Sequence, residues 1–208
     1  MTMTTSETEA EINQAHREKM AKIKAVKDRI YASKTQEKGL LMVHTGTGKG
    51  KSTAAFGLAM RCLGHGLKVG VVQFVKGRRE TGERQVLERF PDLVTLKVMG
   101  EGFTWETQDR ERDIAAAAAA FEEAKQMFAD PDMHLVILDE LNIVLRKDYL
   151  PVDQVVADLL DKRPELHVVV TGRNAKSEMI EAADLVTEMT LVKHPFRSGV
   201  KAQLGIEY

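Results

Sequence analysis

The sequence predicts an α/β fold, a mostly parallel sheet with helices on both faces, on three observations. Short apolar runs of strand length alternate along the chain with helical patterns. The first of these runs, Leu40-Leu41-Met42-Val43, passes into a loop carrying Gly46, Gly48 and Gly50 and then into the helical sequence AAFGLAMRCL. A later run, HLVILDE from His134 to Glu140, ends in two carboxylates.

Taken in order, residues 1 to about 11 are polar and aperiodic and are expected to be disordered. Ile12, His16, Met20, Ile23, Val26 and Ile30 then step by three or four along a helix otherwise rich in lysine and arginine. Residues 1–38 are therefore an N-terminal helical extension, and 39–208 a nucleotide- and ligand-binding domain. The stripe must be buried on something, either its own domain or a dimer seam, or else the helix is a lid over a site. After the glycine loop come a strand over Lys68–Val75, a basic cluster Lys76-Gly77-Arg78-Arg79, a helix over Thr81–Phe90 stopped before Pro91, and a strand over Leu93–Met99. The basic cluster stands where a strand's carboxyl end meets a loop, a place for either a ligand contact or a solvated patch.

Gly100 to Asp109 reads GEGFTWETQD, with Phe103 and the single tryptophan, Trp105, on one loop. Such a pair is either a plug over the end of the sheet or a platform for a flat apolar ligand. The helix of Asp109–Phe128 contains six successive alanines, Ala115 to Ala120, suited to close packing on a sheet. A helix over Val152–Asp161, a strand over Leu166–Thr171, a helix over Ala175–Ala183 and a strand over Leu185–Leu191 complete the alternation.

Composition narrows the function. With 30 basic and 31 acidic residues in 208, nothing in bulk charge favours nucleic acid or a membrane surface. One cysteine, Cys62, excludes a disulfide framework and suits a reducing cytoplasm. The longest apolar run, Ile114 to Phe121, is too short to span a bilayer, and no signal-peptide pattern opens the sequence. The histidines form no close pair in the sequence, so no zinc site is indicated.

The glycine loop carries the chemistry. Backbone amides of Thr45, Gly46, Thr47, Gly48, Lys49, Gly50, Lys51, Ser52 and Thr53 can fold around phosphates at a helix N-terminus. Lys51 can reach phosphate oxygens and the Ser52 hydroxyl can bind Mg²⁺. The spacing departs from the usual phosphate loop: three residues, not four, separate Gly46 from Gly50, Thr45 stands where the first glycine belongs, and Lys49 adds a second cation. Such a loop should hold a nucleotide in another register, which questions γ-phosphate cleavage. Asp139 and Glu140 form a Walker B pair able to hold the same metal with Ser52. Arg173, in Gly172-Arg173-Asn174, can pair with Glu140 or touch a ligand.

Together TGTGKGKSTAAFG, VGVVQFVKG, GFTWETQD, VILDELN, VTGRNA and VKHPFRSGVKAQLGIEY resemble the P-loop ATP:corrinoid adenosyltransferases from about Gly39 to Tyr208, a RecA-like P-loop fold. In that family a proline often follows GRNA; here Lys176 does. The resemblance implies transfer of the 5′-deoxyadenosyl group of ATP to the Co(I) of a reduced corrinoid, releasing triphosphate, in adenosylcobalamin biosynthesis or salvage. It implies Mg²⁺ or Mn²⁺, a homodimer in which the N-terminal helix closes over a partner's site, an electron donor such as a flavoprotein, and a nucleotide lying reversed along the loop. Lys51, Ser52, Glu140 and Arg173 would then serve the departing triphosphate, and Phe103 and Trp105 would fill the corrinoid's lower face. The alternative is a RecA-like P-loop ATPase acting on another substrate.

Overall fold

The computed structural model describes residues 8–75, 81–98 and 109–207. The chain divides into two compact units, Met1–Glu37 and Lys38–Tyr208.

The first unit is helix α1, Glu9–Ala32. It starts earlier than expected, because Thr8 and Glu11 close a capping box: the Thr8 N–H donates to Glu11 Oε2 at 2.8 Å and the Glu11 N–H to Thr8 Oγ1 at 3.4 Å. The expected disorder up to residue 11 overlooked this Thr-x-x-Glu signal. None of the helix's residues is buried. The predicted stripe stays 38–56% exposed at Ile12, Met20, Ile23, Val26 and Ile30.

Among its described residues the second unit forms a six-stranded sheet in which every pairing is parallel, in the order β3-β2-β4-β5-β1-β6. Its strands are β1 (Leu41–Thr45), β2 (Lys68–Gln73), β3 (Val94–Val98), β4 (Met133–Asp139), β5 (His167–Thr171) and β6 (Leu185–Glu188). Helices α2 (Lys51–Gly64), α3 (Gly82–Leu87), α4 (Arg110–Ala129), α5 (Leu141–Arg146), α6 (Val152–Leu160) and α7 (Ser177–Ala182) connect them, and a 3₁₀ turn spans Pro195–Ser198.

Successive strand residues face opposite layers. Met42, Val69, Val71, Leu135, Ile137 and Val169 meet α2 through Ala55, Phe56, Ala59 and Leu63. Val43, Val72, Val136, Leu138, Val168 and Val170 meet α4 through Ala117, Ala120, Phe121 and Ala124. The central strands are covered on both sides, so they read as unbroken apolar runs, not alternations. Of the alanine run only Ala117 and Ala120 are buried against the sheet, while Ala115, Ala118 and Ala119 are exposed, so the expected close packing is confined to one face of the helix. Where α4 crosses β2, a Cβ on Gly70 would lie 2.7 Å from Met127 Sδ.

Two boundaries differ from expectation at the carboxyl edge of the sheet. β6 stops at Glu188, three residues short of expectation, because Met189 turns toward the loop after β1. Helix α7 starts at Ser177, since Asn174 adopts φ 54° and the Ala175 N–H is taken by Thr45 Oγ1 at 2.9 Å.

Candidate active site

The carboxyl ends of β1, β4 and β5 lie side by side, and the register aligns them. His44 pairs with Thr171, and Leu138 with Val170. Strand β5 thus stands between the glycine-loop strand and the strand that delivers Asp139. In parallel sheets this edge collects ligands.

Helix α2 begins at the edge without a side-chain cap. Its N-cap is Gly50 at φ 101°, a left-handed conformation that suits glycine, and the cap makes no side-chain hydrogen bond to the first-turn amides. Those amides and the helix dipole present a positive end to an anion. Lys51 is 6% exposed and its ammonium donates to Gly48 O. Burial pulls Lys51 below the ordinary lysine range; Glu140 opposes this, while Arg173 and Lys49 add to it. Ser52 and Thr53 follow on the first turn, Ser52 half-buried and Thr53 exposed.

The loop residues divide between two tasks. Thr47 and Lys49 are exposed, whereas Thr45, Gly46 and Gly48 are buried. Thr45 is held within the protein: its hydroxyl accepts from Ala175 and its carbonyl from the Met189 N–H at 2.9 Å. The Gly48 N–H donates to Met189 O at 2.6 Å. Cβ atoms built on Gly46 and Gly48 would lie 2.5 and 2.7 Å from that same carbonyl, so neither position admits a side chain. Met189 is a site element that the sequence did not disclose, because it acts through its main chain.

The two carboxylates have different surroundings. Asp139 Oδ1 accepts from Thr171 Oγ1 at 2.8 Å, and Oδ2 from Gln73 Nε2 at 3.1 Å. Asp139 is thus anchored by the neighbouring strands. Glu140 leaves β4 at φ 65°, ψ 18°, a strained conformation for a non-glycine residue, and its N–H donates to Thr171 Oγ1 at 2.9 Å. Its Oε2 is buried without a hydrogen-bond partner. Burial, reinforced by Asp139, pushes the Glu140 carboxyl up to about 7, against the pull of Lys51, Arg173 and Arg146.

Asn142, fully buried, was likewise not singled out from the sequence. Its Nδ2 donates to Gly172 O at 3.3 Å, which fixes the amide's orientation and leaves Oδ1 unpartnered. Orphaned buried acceptors at Glu140 and Asn142 cost free energy unless a donor or cation serves them. Arg173 is exposed at the end of β5, and its charge bears on both Glu140 and Lys51.

The sheet edge therefore brings together the glycine loop, Lys51, Ser52, Asp139, Glu140 and Arg173. An oxygen-only set of Ser52, Asp139 and Glu140, with Glu140 Oε2 orphaned, has the donor chemistry that Mg²⁺ takes. The predicted aromatic platform, Phe103 and Trp105, and the basic cluster Lys76 to Arg79 lie outside the described residues. Among the described residues, no helix is long and apolar enough to cross a membrane.

Comparison with known proteins finds relatives over nearly the whole chain. A curated corrinoid adenosyltransferase of Pseudomonas aeruginosa is 59% identical over 198 residues, covering 95% of this chain and 98% of the relative. One from a Sinorhizobium species is 56% identical, covering 93% and 91%. The corrinoid adenosyltransferase CobA of Salmonella typhimurium is 45% identical, covering 94% and 99%. The profile of the family described as ATP:corrinoid adenosyltransferase BtuR/CobO/CobP matches residues 37–208, and with that match across the whole phosphate-loop unit, the chain belongs to this family of corrinoid adenosyltransferases.

Proposed function

We propose that the chain transfers the 5′-deoxyadenosyl group of ATP to the Co(I) of a reduced corrinoid, with the triphosphate leaving whole. One observation carries this beyond family membership. The loop is short, and its Gly48 amide is spent on Met189 O instead of facing a ligand. A donor that an ordinary phosphate loop offers to the nucleotide is thereby withdrawn. This supports a different register for the triphosphate, with C5′ as the reacting atom and no water activated against the γ-phosphate.

The reaction asks for alignment and charge neutralisation more than for proton transfer. Co(I) supplies its own electron pair, the C5′–oxygen bond breaks as the cobalt–carbon bond forms, and no proton moves. The residues' work is to hold ATP and steady the leaving oxygens. Amides of the first turn of α2 and the ammonium groups of Lys49 and Lys51 fit that task, and Arg173 adds a cation from β5. Ser52, Asp139 and Glu140 would hold Mg²⁺ or Mn²⁺, which when bound neutralises triphosphate charge. Lys51 must exchange Gly48 O for phosphate oxygen. As the family resemblance implies, Phe103 and Trp105 would lie under the corrin ring, an electron donor of flavoprotein type would supply the reduction, and the chain would act as a cytoplasmic homodimer.

The test is product identity. Purified protein, Mg-ATP and chemically reduced corrinoid are mixed in the dark while the visible spectrum and phosphate products are followed. A light-sensitive alkylcobalt spectrum with one triphosphate per turnover is expected. ADP and phosphate without a new cobalt species would replace this reading with a P-loop ATPase.

A further inference from the structure

The segment after β6 touches the phosphate loop twice. At its start Met189 clamps Thr45 and Gly48 through its main chain. At its end the Glu207 carboxylate forms an ion pair with the Lys49 ammonium. Glu207 does not reach Lys49 from a loose end of chain. The Glu207 and Ile206 N–H groups donate to Gln203 O at 2.9 and 3.2 Å, and Gly205 turns the backbone at φ 77°. The Glu207 side chain is 20% exposed, whereas Lys49 is 50% exposed and open to a ligand.

Lys49 stands between Gly48 and Gly50, and its charge is felt at Lys51. A carboxylate on this lysine satisfies the same ammonium that a phosphate would take. The pair is therefore placed to compete with the ligand, unlike an ion pair remote from a site.

We propose that Glu207 is a specificity-determining residue of the phosphate site: it holds Lys49 until a polyphosphate displaces it, and reclaims Lys49 as triphosphate departs. The proposal rests on the reading of this loop as the triphosphate site. A ligand with several negative charges outcompetes one carboxylate, whereas a singly charged anion gains little by the exchange. Triphosphate, the most highly charged species in the reaction, would otherwise be the hardest to release, and a returning Glu207 lowers its residence on the loop.

The test is calorimetric titration of the full chain with inorganic tripolyphosphate in the absence of corrinoid. Glu207→Gln should bind tripolyphosphate about two- to fivefold more tightly, the range expected when a partly exposed ion pair no longer competes. In a Lys49→Met background the same substitution should change nothing. A chain ending at Ile206 should reproduce the gain, and thermal melts confirm that each variant is folded. Unchanged binding in Glu207→Gln would make the pair an ordinary surface contact. Weaker binding would make Glu207 a support for Lys49, and a gain that survives Lys49→Met would reduce the effect to net charge; each of these three outcomes overturns the proposal. Because corrinoid is absent, failure here is separable from failure of adenosyl transfer, which is read from the cobalt spectrum.

Discussion

Glu140 and Gly172 meet where β4 and β5 end: a Cβ on Gly172 would lie 3.1 Å from Glu140 Oε2 and 2.9 Å from the Cβ of Asn142. Gly172 also holds φ 127°, a conformation L side chains rarely adopt. The carboxylate with the orphaned oxygen is thus seated against a position that only glycine fills. Gly172→Ala should cost about 1–3 kcal/mol through backbone strain alone, and more through the contact with Asn142. Thermal melts should fall by several degrees, and adenosylation should fall further than the stability loss explains, because Glu140 is pushed from its place. A variant with a lowered melting temperature but full turnover would detach Glu140 from the chemistry.

The carboxyl of Glu140 is raised from 4.5 to about 7 in the folded chain. Folding therefore favours its protonated form. Stability from this group is fully present below the unfolded value, and it is lost as pH rises through the interval from 4.5 to about 7. At about 1.4 kcal/mol per pH unit the loss is on the order of 3 kcal/mol. Glu140→Gln, which keeps the shape and removes the charge, should melt higher than the parent at pH 8 without metal and nucleotide, and should show a flatter pH dependence between 5 and 8. The same variant should lose most adenosylation, since a bound cation needs the charged form. Parallel melting curves for the two proteins across that range would show that Glu140 is ionised at no cost.

The parts of this arrangement legible in the sequence were those with a local signature. β1, β4 and β5 are covered on both faces, so their apolar runs were continuous and unmistakable, and the glycines, Lys51-Ser52 and Asp139-Glu140 have fixed spacing within single elements. What stayed hidden works across the sheet or through the main chain. Met189 recognises the loop by N–H and C=O groups that every residue but proline carries, and Glu207 meets Lys49 only after the chain has folded back. Asn142 sat in a quoted motif but looked like any helix residue until its burial and unpartnered Oδ1 were seen. The apolar stripe of α1 was read correctly as a periodicity. Within the single chain its residues stay exposed, so periodicity states that a helix has a face to bury and does not name the surface that covers it.

Because α1 has no buried residue while the core clusters draw only on the second unit, deletion of residues 1–37 should leave the melting temperature within about 2 °C, less than a 1 kcal/mol change would produce. Lys38 is kept so that its ion pair with Asp184 survives. Adenosylation should nonetheless fall, because the family resemblance implies that this helix closes over a partner's site. A truncated chain that unfolds would instead make α1 part of the fold's own packing.

Reduction of cobalt separates Phe103 and Trp105 from the rest of the machinery. A corrinoid holding an axial ligand resists taking the electron that makes Co(I). Apolar rings beneath the corrin would exclude the ligand and water, leaving cobalt four-coordinate and easier to reduce. Such a role acts before the transfer, so its loss should depend on which cobalt state is supplied. With Co(II) corrinoid and a reductant, Phe103→Ala and Trp105→Ala should each slow turnover roughly tenfold or more; for a one-electron couple, every tenfold shift in the reduction equilibrium corresponds to about 59 mV. With chemically prepared Co(I), both variants should approach the parent rate, since alignment and the triphosphate site are intact. Equal losses from both cobalt states would make the aromatics part of corrinoid binding, and no loss from either would remove them from the site.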